Sequence, residues 1–141
     1  MTYASGTEAV SMTLKTGTTV AGAGYILTND STNNTVDLSA ATEVGLFISA
    51  DESSRDAAGD LDTSAGATVS AYPMGGALLV AATASQTYTT GLTVYVGANG
   101  LATITAGSNK KLGLYVGGGE TTSSTNGETL VLVATAGAAI A

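Results

Sequence analysis

The residues able to do chemistry in this chain are few, and they are poorly assorted for it. The 141 residues contain no histidine and no cysteine. That removes the commonest general base, the commonest transition-metal ligand, and every thiolate or disulfide at once. Serine and threonine are plentiful, but a hydroxyl nucleophile needs an adjacent base to take its proton. A Ser–Lys arrangement would have to use Lys15, Lys110 or Lys111, and no motif surrounds any of them. Gly107-Ser-Asn-Lys110-Lys111 looks superficially like a phosphate loop but lacks the Walker spacing, and reads better as a turn ahead of a strand.

Carboxylates offer the next possibility. Asp51, Glu52, Asp56, Asp60 and Asp62 crowd one polar stretch and could present oxygen ligands to Ca²⁺. An EF-hand register starting at Asp51 fails, because Asp56 stands where the glycine is needed and Asp62 where the bidentate glutamate is needed. A paired-carboxylate glycosidase could be built from the same residues. Sugar sites usually add aromatic platforms, however, and the chain has no Trp and one Phe. A solvated loop is the expectation, with no bound metal, no cofactor and no enzymatic activity. An enzyme here would lose its activity on changing Asp60 or Asp62. Thr16-Gly-Thr18 and Thr103-Ile-Thr105 place pairs of hydroxyls on one strand face, but without a short repeat period they read as ordinary strand composition.

The charge balance narrows the partners. Net charge is −7, and the only cations are Lys15, Arg55, Lys110 and Lys111. Four scattered cations make a poor phosphate footprint, so neither nucleic acid nor an anionic membrane is an expected partner. The N-terminal sequence shows no signal-peptide pattern and no apolar run reaches transmembrane length. A soluble protein made in a cytoplasm is expected.

The elements that must hold these residues are strands. Val10, Met12 and Leu14 alternate with Ser11, Thr13 and Lys15, the period of a half-buried strand. Comparable segments occur at 25–27, 36–38, 44–48, 67–72, 77–81, 92–96, 101–105, 112–116 and 129–134. Gly- and Asn-bearing turns separate them, among them Pro73-Met-Gly-Gly76 and Asn99-Gly100. No segment has a convincing helical period, although a short helix near 53–58 is compatible with the sequence. The reading is an all-β fold, a single small sandwich or barrel-like domain over 9–141, preceded by a flexible arm at 1–8.

The chain also echoes itself. Glu43-Val-Gly-Leu-Phe-Ile48 matches Lys111-Leu-Gly-Leu-Tyr-Val116 in residue type at an offset of roughly 68 residues, and similar pieces precede both copies. Either two related β units pack together, or a low-complexity chain resembles itself by chance. Gly45 and Gly113 mark a bulge or a close backbone approach in each copy.

What remains is surface. Tyr72, Pro73 and Met74 form an apolar group on a fixed turn, suited to a partner's pocket or to core packing at the turn. The arm, from Met1, Thr2 and Tyr3 to Glu8, could add a strand to a partner's sheet edge. These seven residues are the candidate interface.

The run from Tyr88-Thr-Thr-Gly-Leu-Thr-Val-Tyr-Val-Gly-Ala-Asn-Gly through Lys111-Leu-Gly-Leu-Tyr-Val116, followed by a polar loop and Thr129-Leu-Val-Leu-Val133, resembles the capsid cement (decoration) proteins of tailed bacteriophages. The segments 24–27, 44–48 and 66–79 fit the first half of the same pattern, so the resemblance spans about Leu14 to Val133. The loop at 50–66 is long for that pattern, and Tyr72–Gly76 fits it loosely. The resemblance implies a virion protein on the outer surface of an expanded icosahedral capsid. There it would bridge major capsid protein subunits, often as a homotrimer. The alternative is another virion or surface structural module, such as a tail, head-fibre or adhesin domain.

Overall fold

The computed structural model describes residues 8–30, 34–124 and 129–135. The fold is all-β. Strands β1 (Val10–Thr13), β2 (Ile26–Asp30), β3 (Thr35–Leu38), β4 (Phe47–Ser49) and β5 (Thr68–Pro73) form one sheet in the order β1-β5-β4-β2-β3. Strands β6 (Ala77–Ala81), β7 (Thr87–Tyr88), β8 (Thr93–Val96), β9 (Ala102–Thr103), β10 (Lys111–Tyr115), β11 (Thr121–Thr122) and β12 (Leu130–Thr135) follow. They build a second sheet, β6-β12-β10-β8-β9, and a small β7–β11 ribbon.

The two sheets are the same object made twice. Replacing β1, β5, β4, β2 and β3 by β6, β12, β10, β8 and β9 turns one strand order into the other. Each sheet also rolls up on itself. Leu14, just past β1, bridges Val36 of β3 in parallel, and Ala82, just past β6, bridges Ala102 of β9. Hydrogen bonds repeat as well. The Gly24 amide donates to the Ser49 carbonyl and the Gly91 amide to the Tyr115 carbonyl, both at 2.8 Å. Ser49 and Tyr115 in turn donate to Tyr25 and Leu92, both at 2.9 Å. The molecule is therefore a pair of five-stranded barrels with an offset of about 67 residues.

The echo seen in the sequence is real as a period but sits two residues out of structural register. Ser49, not Phe47, takes the place of Tyr115. Gly45 and Gly113 consequently do different jobs. Gly113 stands at a register shift between β10 and β8, and a Cβ there would collide with the Ala134 carbonyl of β12. Gly45 lies before β4, where a Cβ would meet Ile26 Cγ2 at 2.6 Å and Met74 Cε at 3.0 Å. That packing, with Leu46 donating to Leu27, leaves 44–46 outside the strand expected over 44–48.

Alternation fills the first barrel. Leu14, Val20, Leu27, Val36, Ala67, Val69 and Ala71 point inward, with Met12, Leu38 and Phe47 packed on them. Thr68 and Ser70, the intervening residues of β5, face water. The second barrel holds Val80, Tyr88, Val94, Val96, Leu112, Tyr115, Val131 and Val133, but its core also takes in Ile26 and Ile48 from the outer face of the first. One barrel thus lends two side chains to the other. Ala81 of β6 donates to the Gly24 carbonyl at 2.8 Å, tying the seam shut.

Turn chemistry follows the expected rules where it was legible. Asn99 (φ 55°) and Gly100 (φ 73°) both adopt the left-handed conformation, in a three-residue loop, Ala98–Gly100, that joins β8 to β9 as a hairpin. No helix forms over 53–58; Arg55 and Leu61 form an isolated bridge across a turn instead.

Candidate interaction surface

Among the described residues, the groups with chemical potential do not converge. The acidic stretch is engaged in local turns. Glu52 makes a two-pronged contact with Arg55, through Nε at 3.2 Å and Nη2 at 2.7 Å. Asp56 accepts from the Ala58 and Asp60 amides. Asp62 accepts from the Ser64 hydroxyl and amide, which hold its carboxyl below the usual range and keep it ionised. Among the described residues, no three acidic side chains come together in a way that could hold a metal.

One member of that stretch behaves unexpectedly. Ser53 is buried, accepts from the Val20 amide at 2.9 Å, and receives its twin's treatment in the other barrel. There Ser123, also buried, accepts from the Gln86 amide at 2.8 Å and donates to the Thr83 carbonyl at 2.6 Å. These serines are structural clasps, one per barrel.

Of the candidate interface residues, Met1, Thr2 and Tyr3 lie outside the described residues. Glu8 is exposed, and Tyr72, Pro73 and Met74 are half-buried. Met74 packs against the second core, whereas Tyr72 lines an apolar groove. Val10 pairs with Ala71, so β1 begins beside the Ala71–Pro73 end of β5.

The groove, about 340 Å³, runs between the barrels and is lined by Tyr72 and Ala50 on one side and Leu79, Leu130 and Leu132 on the other. It opens onto the outer face of the second barrel, where Leu79, Leu114, Val116 and Leu130 are 52%, 47%, 39% and 40% exposed. Strand pairing joins them into one surface. Leu79 faces Leu132 across β6 and β12, and Val116 donates to the Leu132 carbonyl from the end of β10.

The first barrel provides an internal control. The register that pairs Ser11 with Ser70 and Thr13 with Thr68 pairs Leu79 with Leu132 and Ala81 with Leu130 in the second. Two Ser and two Thr at four outward positions of one barrel thus become three Leu and one Ala in its twin. The topology does not require leucine there.

Sequence reasoning missed this face although a signal was present. Thr129-Leu-Val-Leu-Val133 and Ala77-Leu-Leu-Val80 are unbroken apolar runs, and an antiparallel strand with one wet face should alternate. No protein-family model and no curated protein matches this chain in sequence.

Proposed function

We propose that this chain is a capsid-decorating protein that binds the outer surface of an expanded icosahedral shell and stabilises it by bridging neighbouring major capsid subunits. The observation that carries the reading is the register of β1 on β5, which sets Val10, the first residue of β1, beside Ala71 and the Tyr72–Pro73 end of β5. In this reading Tyr72 serves as an aromatic anchor, and the N-terminal segment adds a strand to a capsid edge on binding. The sequence resemblance over Leu14–Val133 supports the same role. So does the scattering of the few reactive groups, which leaves surface rather than chemistry to be used.

The mechanism is mass action. A protein that binds the assembled lattice and not its separated subunits raises the stability of the lattice. Contacts to several subunits at once multiply that effect through avidity. The test is to add the purified protein to matched expanded capsids, then measure bound copies and the disruption temperature. High copy number over the whole head with a raised disruption temperature is the expected result. Capsids that neither bind the protein nor gain stability would sink the proposal. A few copies at one vertex or on the tail would point to a fibre or tail module.

A further inference from the structure

We propose that the aliphatic face of β6, β12 and β10 is a self-association interface, on which a second copy of this chain sits with the same face. The inference stands apart from the capsid reading and holds in free solution.

Its ground is the twin-barrel comparison. Leu79, Leu130 and Leu132 occupy the positions that Ser11, Thr68 and Ser70 occupy in the first barrel, within the same strand order and the same register. The first barrel is solvated there and the second is not built to be. The contrast continues on the next strand. Ile48 and Leu114 are equivalent outward positions of β4 and β10, being the residues just before Ser49 and Tyr115. Ile48 is 1% exposed because the other barrel covers it, whereas Leu114 is 47% exposed. A face that is covered within the chain on one barrel is left uncovered on its duplicate.

The chemistry selects the occupant. The side chains of Ala77, Leu79, Leu114, Val116, Leu130 and Leu132 carry no charge, donor or acceptor. The complement of such a face is another like it, and a second copy supplies one in register about a two-fold axis. Two sheets stacked through their aliphatic faces form an ordinary sandwich core about 10 Å thick. Leu79, Leu114, Val116 and Leu130, each between 39% and 52% exposed, supply the apolar centre of an interface that buries about 800 Å² per partner once its polar rim is included. The patch is also continuous with the contact already made within the chain. Leu130 reaches Gly24 of the first barrel, where a Cβ would come within 2.6 Å of its Cδ2, yet stays 40% exposed. Two-fold pairing distinguishes this inference from the trimer that the sequence resemblance implies.

The experiment borrows its substitutions from the twin barrel, so each is known to suit the topology. Wild type and the triple variant Leu79→Ser, Leu130→Thr, Leu132→Ser are compared by light scattering and sedimentation across a micromolar concentration series. Wild type is expected to reach twice the 13.7 kDa chain mass, and the variant to remain at that mass with an unchanged β circular-dichroism spectrum. A second measurement does not depend on the triple variant folding. The chain lacks cysteine, so Leu114→Cys and Ser70→Cys give single thiols on the two barrels. Maleimide labelling of the first should slow at least tenfold with rising protein concentration, while the second stays constant. A monomeric wild type, a three-copy assembly, an assembly that survives the substitutions, or a Leu114→Cys thiol whose labelling ignores concentration would each overturn the pairing. A monomer whose thiol is protected at every dilution would give the face to the chain's own segments instead.

Discussion

At the scale of single residues, hydroxyl groups contribute to this protein by closing structure rather than by reacting. Ser53 takes the buried Val20 amide and Ser123 the half-buried Gln86 amide, neither of which a strand partner reaches. Removing the hydroxyl leaves that amide unpaired, at about 1–3 kcal/mol. Ser53→Ala and Ser123→Ala should therefore lower the urea midpoint by comparable amounts. Because the sites sit in different barrels, their costs should add in the double variant. A variant with no loss would show that water replaces the clasp. Tyr88 is the other residue with a readable signature. It is fully buried against Tyr115, and burial pushes its phenol up to about 12. Since the folded value lies above the unfolded value of about 10, its stabilisation is complete below that pH. It fades as the pH rises toward 12. Alkaline absorbance titration should show a tyrosinate step near pH 12 that disappears in Tyr88→Phe.

At the scale of elements, the fold was legible wherever apolar and polar residues alternate. Val10–Leu14, Ala67–Tyr72 and the Asn99-Gly100 turn gave strands and a hairpin because one face meets a core and the other meets water. Legibility failed where a strand is apolar on both faces, since β12 and β6 then say nothing about which side is inside. It failed also in the two-residue β7–β11 ribbon, which is too short to carry a period. The duplication could be sensed as a period, but its register could not. The matching hexapeptides around Gly45 and Gly113 answer to different neighbours, one to a side-chain contact between barrels and the other to the β12 backbone. That difference is testable. Gly113→Ala drives a methyl into the Ala134 carbonyl and should cost about 1–3 kcal/mol or more in thermal unfolding. Gly118→Ala, with open space around its Cβ, should be neutral or slightly stabilising. Equal effects would mean that the β10 bulge can relax.

For the whole molecule, duplication divides the labour between the barrels. The first is wet on the outer face of β1 and β5, gives Ile26 and Ile48 to its neighbour, and starts β1 beside the Ala71–Pro73 end of β5. The second is closed at its seam by the first and offers an aliphatic sheet face. On the proposed lattice-binding role, the leucine face would set how copies associate with one another and the N-terminal segment would meet the shell, with Tyr72 lining the groove beside Leu79, Leu130 and Leu132. Deleting the N-terminal segment tests the second contact. Among the described residues, deleting Met1–Glu8 takes only Glu8, which is exposed and lies ahead of β1 at Val10. The truncated protein should keep its β spectrum, its unfolding midpoint and its mass in solution. Its affinity for expanded capsids should fall at least tenfold, since an added strand contributes both backbone hydrogen bonds and avidity. Binding isotherms on capsids at fixed ionic strength measure this directly. Unchanged affinity would mean that the arm is not the anchor and that the shell is held by the barrel surfaces alone.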